Sequence, residues 1–142
     1  MLDKLPEFIG NHPGLFAAFG VVVGMLAFIT FQSSGVRKLS PAEATGKMNR
    51  DDAVVLDVRS EAEFQAGHVV GAINIPLTQI QSSLSRIQKH REKPLITICA
   101  TGQRSGTACK QLKQAGFADV YSVTGGIGAW ESASLPLTRA KS

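Results

Sequence analysis

The sequence predicts an α/β fold in which a parallel sheet is flanked by helices and preceded by one N-terminal transmembrane helix. An uncharged apolar stretch near the N-terminus predicts the transmembrane helix. After it, short runs of β-branched and apolar residues alternate with segments that begin with helix-capping residues. Strands and helices that alternate in this way are typical of a parallel sheet, because each crossover between parallel strands needs about a dozen residues.

The predicted transmembrane helix is the stretch from Gly14 to Phe31, eighteen residues without Asp, Glu, Lys or Arg. As a helix, this stretch reaches about 27 Å, which matches the hydrocarbon thickness of a bilayer. A cleaved signal peptide is the alternative, but the leader contains two acidic residues where a basic region is needed, and no A-x-A-like cleavage site follows. We expect a leader over 1–13, a transmembrane helix over 14–31 and a linker over 32–38.

The charges on the two sides of the span predict its orientation. The leader contains one basic residue, whereas Arg37, Lys38, Lys47 and Arg50 follow the span closely. Basic residues concentrate on the cytoplasmic side of membrane helices. We therefore expect a single-pass protein of the cell inner membrane whose main domain faces the cytoplasm. From Arg37 onward, basic residues exceed acidic residues by five, which favours a nearby anionic lipid surface. The net charge of +4 accompanies no nucleic-acid motif, so we expect no nucleic-acid partner.

Two capping boxes predict the first helices of the domain that follows. Ser40 and Glu43 form one box, with Pro41 at the first helical position. Ser60 and Glu63 form the other, directly after the strand-like run AVVLDV. These patterns predict that a helix, a strand and a second helix follow one another.

Further strand–helix pairs complete the domain. The run AINI predicts a short strand, and Thr78 with Gln81 predicts the start of a helix. The run PLITICA predicts a buried strand, followed by a helix from about Arg104 to Ala115 that Gly116 ends. The run DVYSV predicts the last strand. We expect the domain over 39–138 and a C-terminal tail over 139–142.

The loop after the strand PLITICA contains the candidate nucleophile, Cys99. Gly102 allows the loop to turn tightly, and the backbone N–H groups before the helix can converge into an anion-binding nest. The helix N-terminus and Arg104 would both lower the pKa of the thiol. A lone free cysteine is usually a small buried hydrophobe, but this combination favours a nucleophile. We predict Cys99 as the catalytic residue, and as substrate-binding residues Ala100, Thr101, Gly102, Gln103, Arg104 and Ser105.

The other chemically reactive residues are interpreted as structural. Cys109 lies beside the inward stripe of its predicted helix, which favours packing. His68 could serve as a base, but it lies far from Cys99 in the sequence, and such a loop histidine is more often structural. The two cysteines and three histidines do not have the spacing of metal ligands, so we expect no metal.

Four separated motifs give the chain a family resemblance. They are LDVR at 56–59, GHVVGAINIP at 67–76, CATGQRS at 99–105 and GGIGAW at 125–130. In this order, over about Leu39 to Leu137, they resemble a single rhodanese domain. With the preceding apolar helix, the arrangement is similar to small bacterial inner-membrane rhodanese-like proteins of the YibN type.

The resemblance implies a sulfurtransferase that needs no cofactor. Cys99 would attack the sulfane sulfur of a donor such as thiosulfate and pass it, as a persulfide, to cyanide or a thiol acceptor. Arg104 would bind the anionic part of the donor. Asp57 and Arg59 match the D-x-R strand end of the family and are interpreted as a structural ion pair, and Trp130 as core packing.

Two other functions stay open. Cdc25-like phosphatases and arsenate reductases have five residues between the cysteine and the arginine of a similar loop, whereas four separate Cys99 from Arg104. The other alternative is a non-enzymatic rhodanese-like module that binds a membrane partner.

Gly20 and Gly24 form a G-x-x-x-G pair in the span, and such small residues let two helices approach closely, which leaves open a weak homodimer.

Overall fold

The computed structural model describes residues 4–33 and 35–139, and the side chains of all of these except 31–33. The chain divides into two compact units, Met1–Gly35 and Val36–Ser142. The first three residues of the predicted leader, Ser34 of the predicted linker and residues 140–142 of the predicted tail lie outside the described residues.

The first unit contains two helices, α1 (Leu5–Asn11) and α2 (Pro13–Ser33). The leader was predicted only as a flank, so α1 is an addition to the expected elements. Within α2, the window Pro13–Thr30 has a mean hydropathy of 2.0 and buries none of its residues in the protein. This helix has the length and hydropathy that a bilayer-spanning helix requires, as the sequence predicts.

The second unit is built on a parallel five-stranded sheet. The described residues of this unit form seven strands in all: β1 (Arg37–Leu39), β2 (Val54–Asp57), β3 (His68–Val69), β4 (Ile73–Asn74), β5 (Leu95–Ile98), β6 (Val120–Val123) and β7 (Leu137–Thr138). The sheet has the strand order β1-β6-β5-β2-β4, and every neighbouring pair in it is parallel. Strands β3 and β7 form a separate antiparallel pair. The predicted α/β class is confirmed.

Within its described residues, this unit has five α-helices, and one hydrophobic cluster lies on each face of the sheet. The helices are α3 (Pro41–Asp51), α4 (Glu61–Ala66), α5 (Leu84–Ile87), α6 (Gln103–Gln114) and α7 (Gly126–Ser132). Successive side chains of a strand point to opposite faces. Accordingly, Leu56 of β2 lies in one cluster with Ile87 of α5 and Leu112 of α6, whereas Val55 lies in the other with Ala44 of α3 and Trp130 of α7. Trp130 is a core residue, as predicted.

Both predicted capping boxes are present. In the second box, the Ser60 hydroxyl accepts from the Glu63 N–H, and the Glu63 carboxylate accepts from the Ser60 N–H at 2.9 Å. The same reciprocal pair joins Ser40 and Glu43 at the start of α3. Because each box satisfies N–H groups that the first turn leaves unpaired, it fixes where its helix begins.

Two sequence-based expectations are wrong in their details. The linker predicted over 32–38 is shorter, because α2 continues to Ser33 and Arg37 already belongs to β1, which pairs with β6. The helix predicted from Thr78 is a series of 3₁₀ turns before the short α5, and no side chain caps it. Ile80 and Ile87 are nevertheless buried in the core. Packing of these side chains therefore decides the path of this segment, and the Thr78–Gln81 capping box does not form.

Candidate active site

Cys99 lies at the carboxyl end of β5, one of the central strands of the sheet, and shortly before the N-terminus of α6. In open α/β sheets, ligands bind outside the carboxyl ends of the strands. The residue is only 1% exposed, so its sulfur lies at the bottom of the loop that joins β5 to α6. The structure therefore puts the predicted nucleophile where this class of fold places its chemistry.

The Cys99 sulfur forms hydrogen bonds with the loop and with α6. The Gly102 N–H donates to the sulfur at 2.9 Å. Gly102 has a φ of +105°, in the left-handed region that favours glycine, and this turn aims its N–H at the sulfur. The thiol in turn donates to the Ser105 hydroxyl oxygen at 3.6 Å. That hydroxyl is 2.7 Å from the hydroxyl of Ser122 on β6, which holds it in place.

The environment of Cys99 favours its thiolate. Burial raises the pKa of the thiol, but the donors lower it by more in total, and the pKa lies below its ordinary value. The largest lowering effects on the pKa come from hydrogen bonds with the backbone N–H and the hydroxyl of Ser105, followed by those with the backbone N–H groups of Gly102 and Thr101. Hydrogen bonds to a charged form stabilise that form, and the N-terminus of the twelve-residue α6 adds its partial positive charge.

The turn before α7 holds the reactive loop from the other side. The Ile127 N–H donates to the Cys99 carbonyl at 2.8 Å, and the Gly128 N–H donates to the Ala100 carbonyl at 3.4 Å. Gly126 has a φ of +59°, and a Cβ atom there would overlap the Cys99 carbonyl oxygen. The glycines of the GGIGAW motif thus let two loops approach closely, a role that the sequence analysis did not assign to them.

Arg104 is bound differently from our expectation. Its guanidinium forms two parallel hydrogen bonds with the Glu63 carboxylate, Nη1 to Oε2 at 3.0 Å and Nη2 to Oε1 at 3.1 Å. The largest effects that lower the pKa of Cys99 come from hydrogen bonds within the loop and α6. Glu63 raises the pKa of Arg104, to which the Cys99 charge adds a smaller effect. Arg104 stays a predicted donor-binding residue, but it shares its charge with a carboxylate.

The neighbouring polar residues form contacts of the kind that their structural interpretation predicts. Asp57 and Arg59 form a buried ion pair, with Nη2 and Oδ2 2.7 Å apart, and Arg59 also donates to the Gly67 carbonyl at 2.6 Å. His68 stacks on Phe64 with ring centroids 3.7 Å apart, and its Nδ1 lies 2.8 Å from the Phe64 carbonyl oxygen. Both sets of contacts connect the ends of β2, α4 and β3, so these residues have a structural role.

Cys109 has the opposite environment to Cys99. Its side chain is fully buried in α6, and burial raises the pKa of the thiol, which the hydroxyl of Thr97 at 3.1 Å only partly opposes. A protonated, buried thiol is a poor nucleophile. The interpretation of Cys109 as a packing residue agrees with these contacts.

Comparison with known proteins identifies the family of the second unit. The model of the family described as "Rhodanese-like domain" matches residues 40–133. The chain belongs to the rhodanese family. It is 33% identical over 143 residues to the uncharacterized protein YibN of Escherichia coli, across 99% of this chain and the whole relative. It is also 33% identical over 97 residues to the thiosulfate sulfurtransferase GlpE of Pseudoalteromonas translucida, across 68% of this chain and 90% of the relative.

A solved structure supports the same conclusion. A rhodanese-related protein from Thermoplasma volcanium superposes with a TM-score of 0.66 at 30% identity, covering 73% of this chain and 99% of that chain. The predicted single rhodanese domain and its parallel sheet are therefore confirmed. The presence of a sulfurtransferase among the relatives supports a sulfurtransferase-type role for this rhodanese domain.

Within the rhodanese loop, backbone groups contact the sulfur more than side chains do. The side chains of Thr101 and Gln103 are exposed, and that of Ala100 is half-buried. Ser122 is not among the predicted site residues, although a polar residue in an otherwise apolar strand is a detectable signal; in the sheet register it pairs with Thr97. Glu63 was predicted only as a helix cap, because its contact with α6 is not visible from local spacing.

A separate cleft of about 720 Å³ lies beside α4 and β4 of the rhodanese domain. It is lined by Phe64, Asn74 and Arg86 among others, and by none of residues 99–105. Among residues 4–33 and 35–139, no group of three or more His, Cys, Asp or Glu side chains is placed to hold a metal ion. We therefore assign the candidate chemistry to the Cys99 loop.

Proposed function

We propose that this protein is a membrane-anchored sulfurtransferase that carries a sulfane sulfur as a persulfide on Cys99. The observation that supports it most is the position of the Cys99 sulfur, which accepts the Gly102 N–H at 2.9 Å beside the N-terminus of α6. A thiolate, and then a persulfide anion, gains from such preorganised donors without reorganisation. The relation to a thiosulfate sulfurtransferase supports the same chemistry.

In the first step of the proposed reaction, the Cys99 thiolate attacks the outer, sulfane sulfur of thiosulfate. A new S–S bond forms to Cys99, the S–S bond of thiosulfate breaks, and its electron pair leaves with sulfite. Three negative charges are present before and after the step, so no proton, metal or redox partner is needed. Nucleophilic catalysis of this kind divides one transfer into two displacements.

In the second step, cyanide or a thiolate attacks the outer sulfur of the Cys99 persulfide. The S–S bond to Cys99 breaks, its electron pair returns to the Cys99 sulfur, and thiocyanate or an acceptor persulfide leaves. The N–H groups of Gly102 and Ser105 stabilise the anion in both states of the enzyme, because each state has its negative charge on sulfur. The low pKa of the returning thiolate makes it a good leaving group.

For the first unit, we propose that α2 spans the inner membrane and that the rhodanese domain faces the cytoplasm. The basic flank after the span supports this orientation. A reducing cytoplasm would keep Cys99 available as a thiolate. The open faces of Gly20 and Gly24, with no atom within 4 Å of an added Cβ, are compatible with a weak homodimer through α2.

Steady-state transfer of sulfur from thiosulfate to cyanide, followed as thiocyanate, tests the proposal on the full chain in detergent. Cys99→Ser should abolish transfer, because a serine hydroxyl of high pKa cannot replace the thiolate. Cys109→Ser is the matched control and should keep most of the activity. Hydrolysis of an aryl phosphate in place of sulfur transfer would instead support the phosphatase alternative. A folded wild-type protein that transfers no sulfur would support the non-enzymatic module.

A further inference from the structure

The pair formed by Glu63 and Arg104 joins α4 to α6 at the entrance of the reactive loop. Oε2 of Glu63 accepts from Arg104 Nη1 at 3.0 Å, from the Ser60 N–H at 2.9 Å and from the Ser60 hydroxyl at 3.1 Å, while Oε1 accepts from Arg104 Nη2 at 3.1 Å. The carboxylate is therefore held in one orientation by its own helix cap. Because the two hydrogen bonds between Arg104 and this carboxylate are parallel, they also fix the orientation of the guanidinium group relative to the carboxylate.

This arrangement determines the charge that a sulfur donor meets. Arg59 is already bound to Asp57, and Arg104 is bound to Glu63. These four side chains are paired two by two and contribute no net charge. Among them and Cys99, the full charge that is left is the negative charge of the thiolate, opposed by the partial positive charge of the α6 N-terminus. A dianion such as thiosulfate is repelled more strongly by this negative charge than a monoanion of the same shape.

We propose that Glu63 is a specificity-determining residue that, by neutralising Arg104, favours sulfur donors with one negative charge or none, such as thiol persulfides, over dianionic thiosulfate. The inference rests on the proposed function, since it concerns the donor of that same reaction. For a persulfide donor, the Cys99 thiolate attacks the outer sulfur, the donor's S–S bond breaks, and its electron pair leaves with the donor thiolate. A thiol persulfide carries no sulfonate-type group that would need a free guanidinium.

Two donors of nearly equal shape separate charge from size. Methanethiosulfonate anion has a methyl group where thiosulfate has a charged oxygen, and it loses methanesulfinate where thiosulfate loses sulfite. The ratio of kcat/KM for thiosulfate to kcat/KM for methanethiosulfonate, measured with cyanide as acceptor, reports the discrimination by charge. A purely structural role of Glu63 would change both values together and leave this ratio unaltered.

Glu63→Gln removes the charge and keeps the shape, and glutamine at this position still completes a capping box. We expect the ratio to rise about three- to tenfold, mainly through a lower KM for thiosulfate, because Arg104 becomes an unneutralised cation; this range allows for solvent screening of a pair that is more than one-third exposed. Glu61→Gln on the same helix is the control and should leave the ratio unchanged. In the double variant Glu63→Gln with Arg104→Gln, the gain should disappear.

The outcomes distinguish this inference from the proposed function. If the wild type transfers sulfur from both donors but Glu63→Gln leaves the ratio within twofold of the wild type, the role of Glu63 is overturned and the sulfurtransferase stands. A gain that persists without Arg104 would also overturn it. If the wild type transfers sulfur from neither donor, the proposed function fails, and the inference fails with it.

Discussion

The two cysteines show how strongly the surroundings of a side chain determine its chemistry. Both are buried, and burial alone raises the pKa of a thiol. Around Cys99, hydrogen bonds with Ser105, Gly102 and Thr101 reverse this effect, whereas around Cys109 the hydroxyl of Thr97 and the charge of Lys113 only partly oppose it. The difference comes from the turn after β5, which aims N–H groups at one sulfur.

The first prediction concerns the ionisation of Cys99. In the Cys109→Ser background, the rate of alkylation by iodoacetamide should follow a single ionisation with a midpoint below 9.0, the ordinary value of the thiol. Ser105→Ala should move the midpoint upward, because it removes the hydroxyl that stabilises the thiolate. Thr101→Ala is the control, since Thr101 acts through its backbone N–H, and should not move it. A wild-type midpoint at or above 9.0 would contradict the account.

The conformation of the reactive loop depends on the turn that precedes α7. The second prediction is that Gly126→Ala lowers the free energy of unfolding by about 2 kcal/mol, because the added Cβ would overlap the Cys99 carbonyl oxygen and because the positive φ of this residue is strained for alanine. Gly106→Ala, in the interior of α6 with no atom within 4 Å, should raise it by up to about 1 kcal/mol. Urea unfolding of the full chain in detergent measures both. Equal effects of the two changes would refute the role of the turn.

The third prediction concerns the attachment of α4 through Glu63. Hydrogen bonds from Arg104 and then from the Ser60 N–H lower the pKa of Glu63 to about 2. A lowered carboxyl pKa contributes stability that is complete above its ordinary value of 4.5 and is lost as the pH falls toward 2. Glu63→Gln should therefore lose less stability than the wild type across this range, with Glu61→Gln behaving as the wild type. Identical pH dependence of all three proteins would argue against this linkage.

Local sequence patterns could predict some of the helices and strands but not the contacts between them. The capping boxes at Ser40 and Ser60 are local patterns, and both form where the spacing indicates. β1 was not predicted because its residues, Arg37–Leu39, are mostly exposed and polar, and only pairing with β6 makes them a strand. The contact of Glu63 with Arg104 crosses 41 positions of sequence. Such long-range contacts depend on the packing of α4 near α6, which no local pattern encodes.

The chain combines an apolar helix with a rhodanese domain, so the topology of the helix decides in which compartment the domain lies. The fourth prediction is that the domain faces the cytoplasm. Because Cys99 is buried, its failure to react would not report topology; Ser85→Cys, exposed on α5, is the better probe in a background without Cys99 and Cys109. A membrane-impermeant thiol reagent should label this cysteine only after lysis. Labelling in intact cells with a sealed inner membrane would show that the domain lies on the opposite side of the membrane and contradict the proposed orientation.

Mass spectrometry of the full-length protein after treatment with thiosulfate or methanethiosulfonate tests whether Cys99 carries a persulfide. We expect one additional sulfur atom on the peptide that contains Cys99, none on Cys109, and release of that sulfur as thiocyanate when cyanide is added. The contradicting result would be an unmodified Cys99, or sulfur on Cys109 alone, under conditions in which GlpE treated in parallel carries the added sulfur.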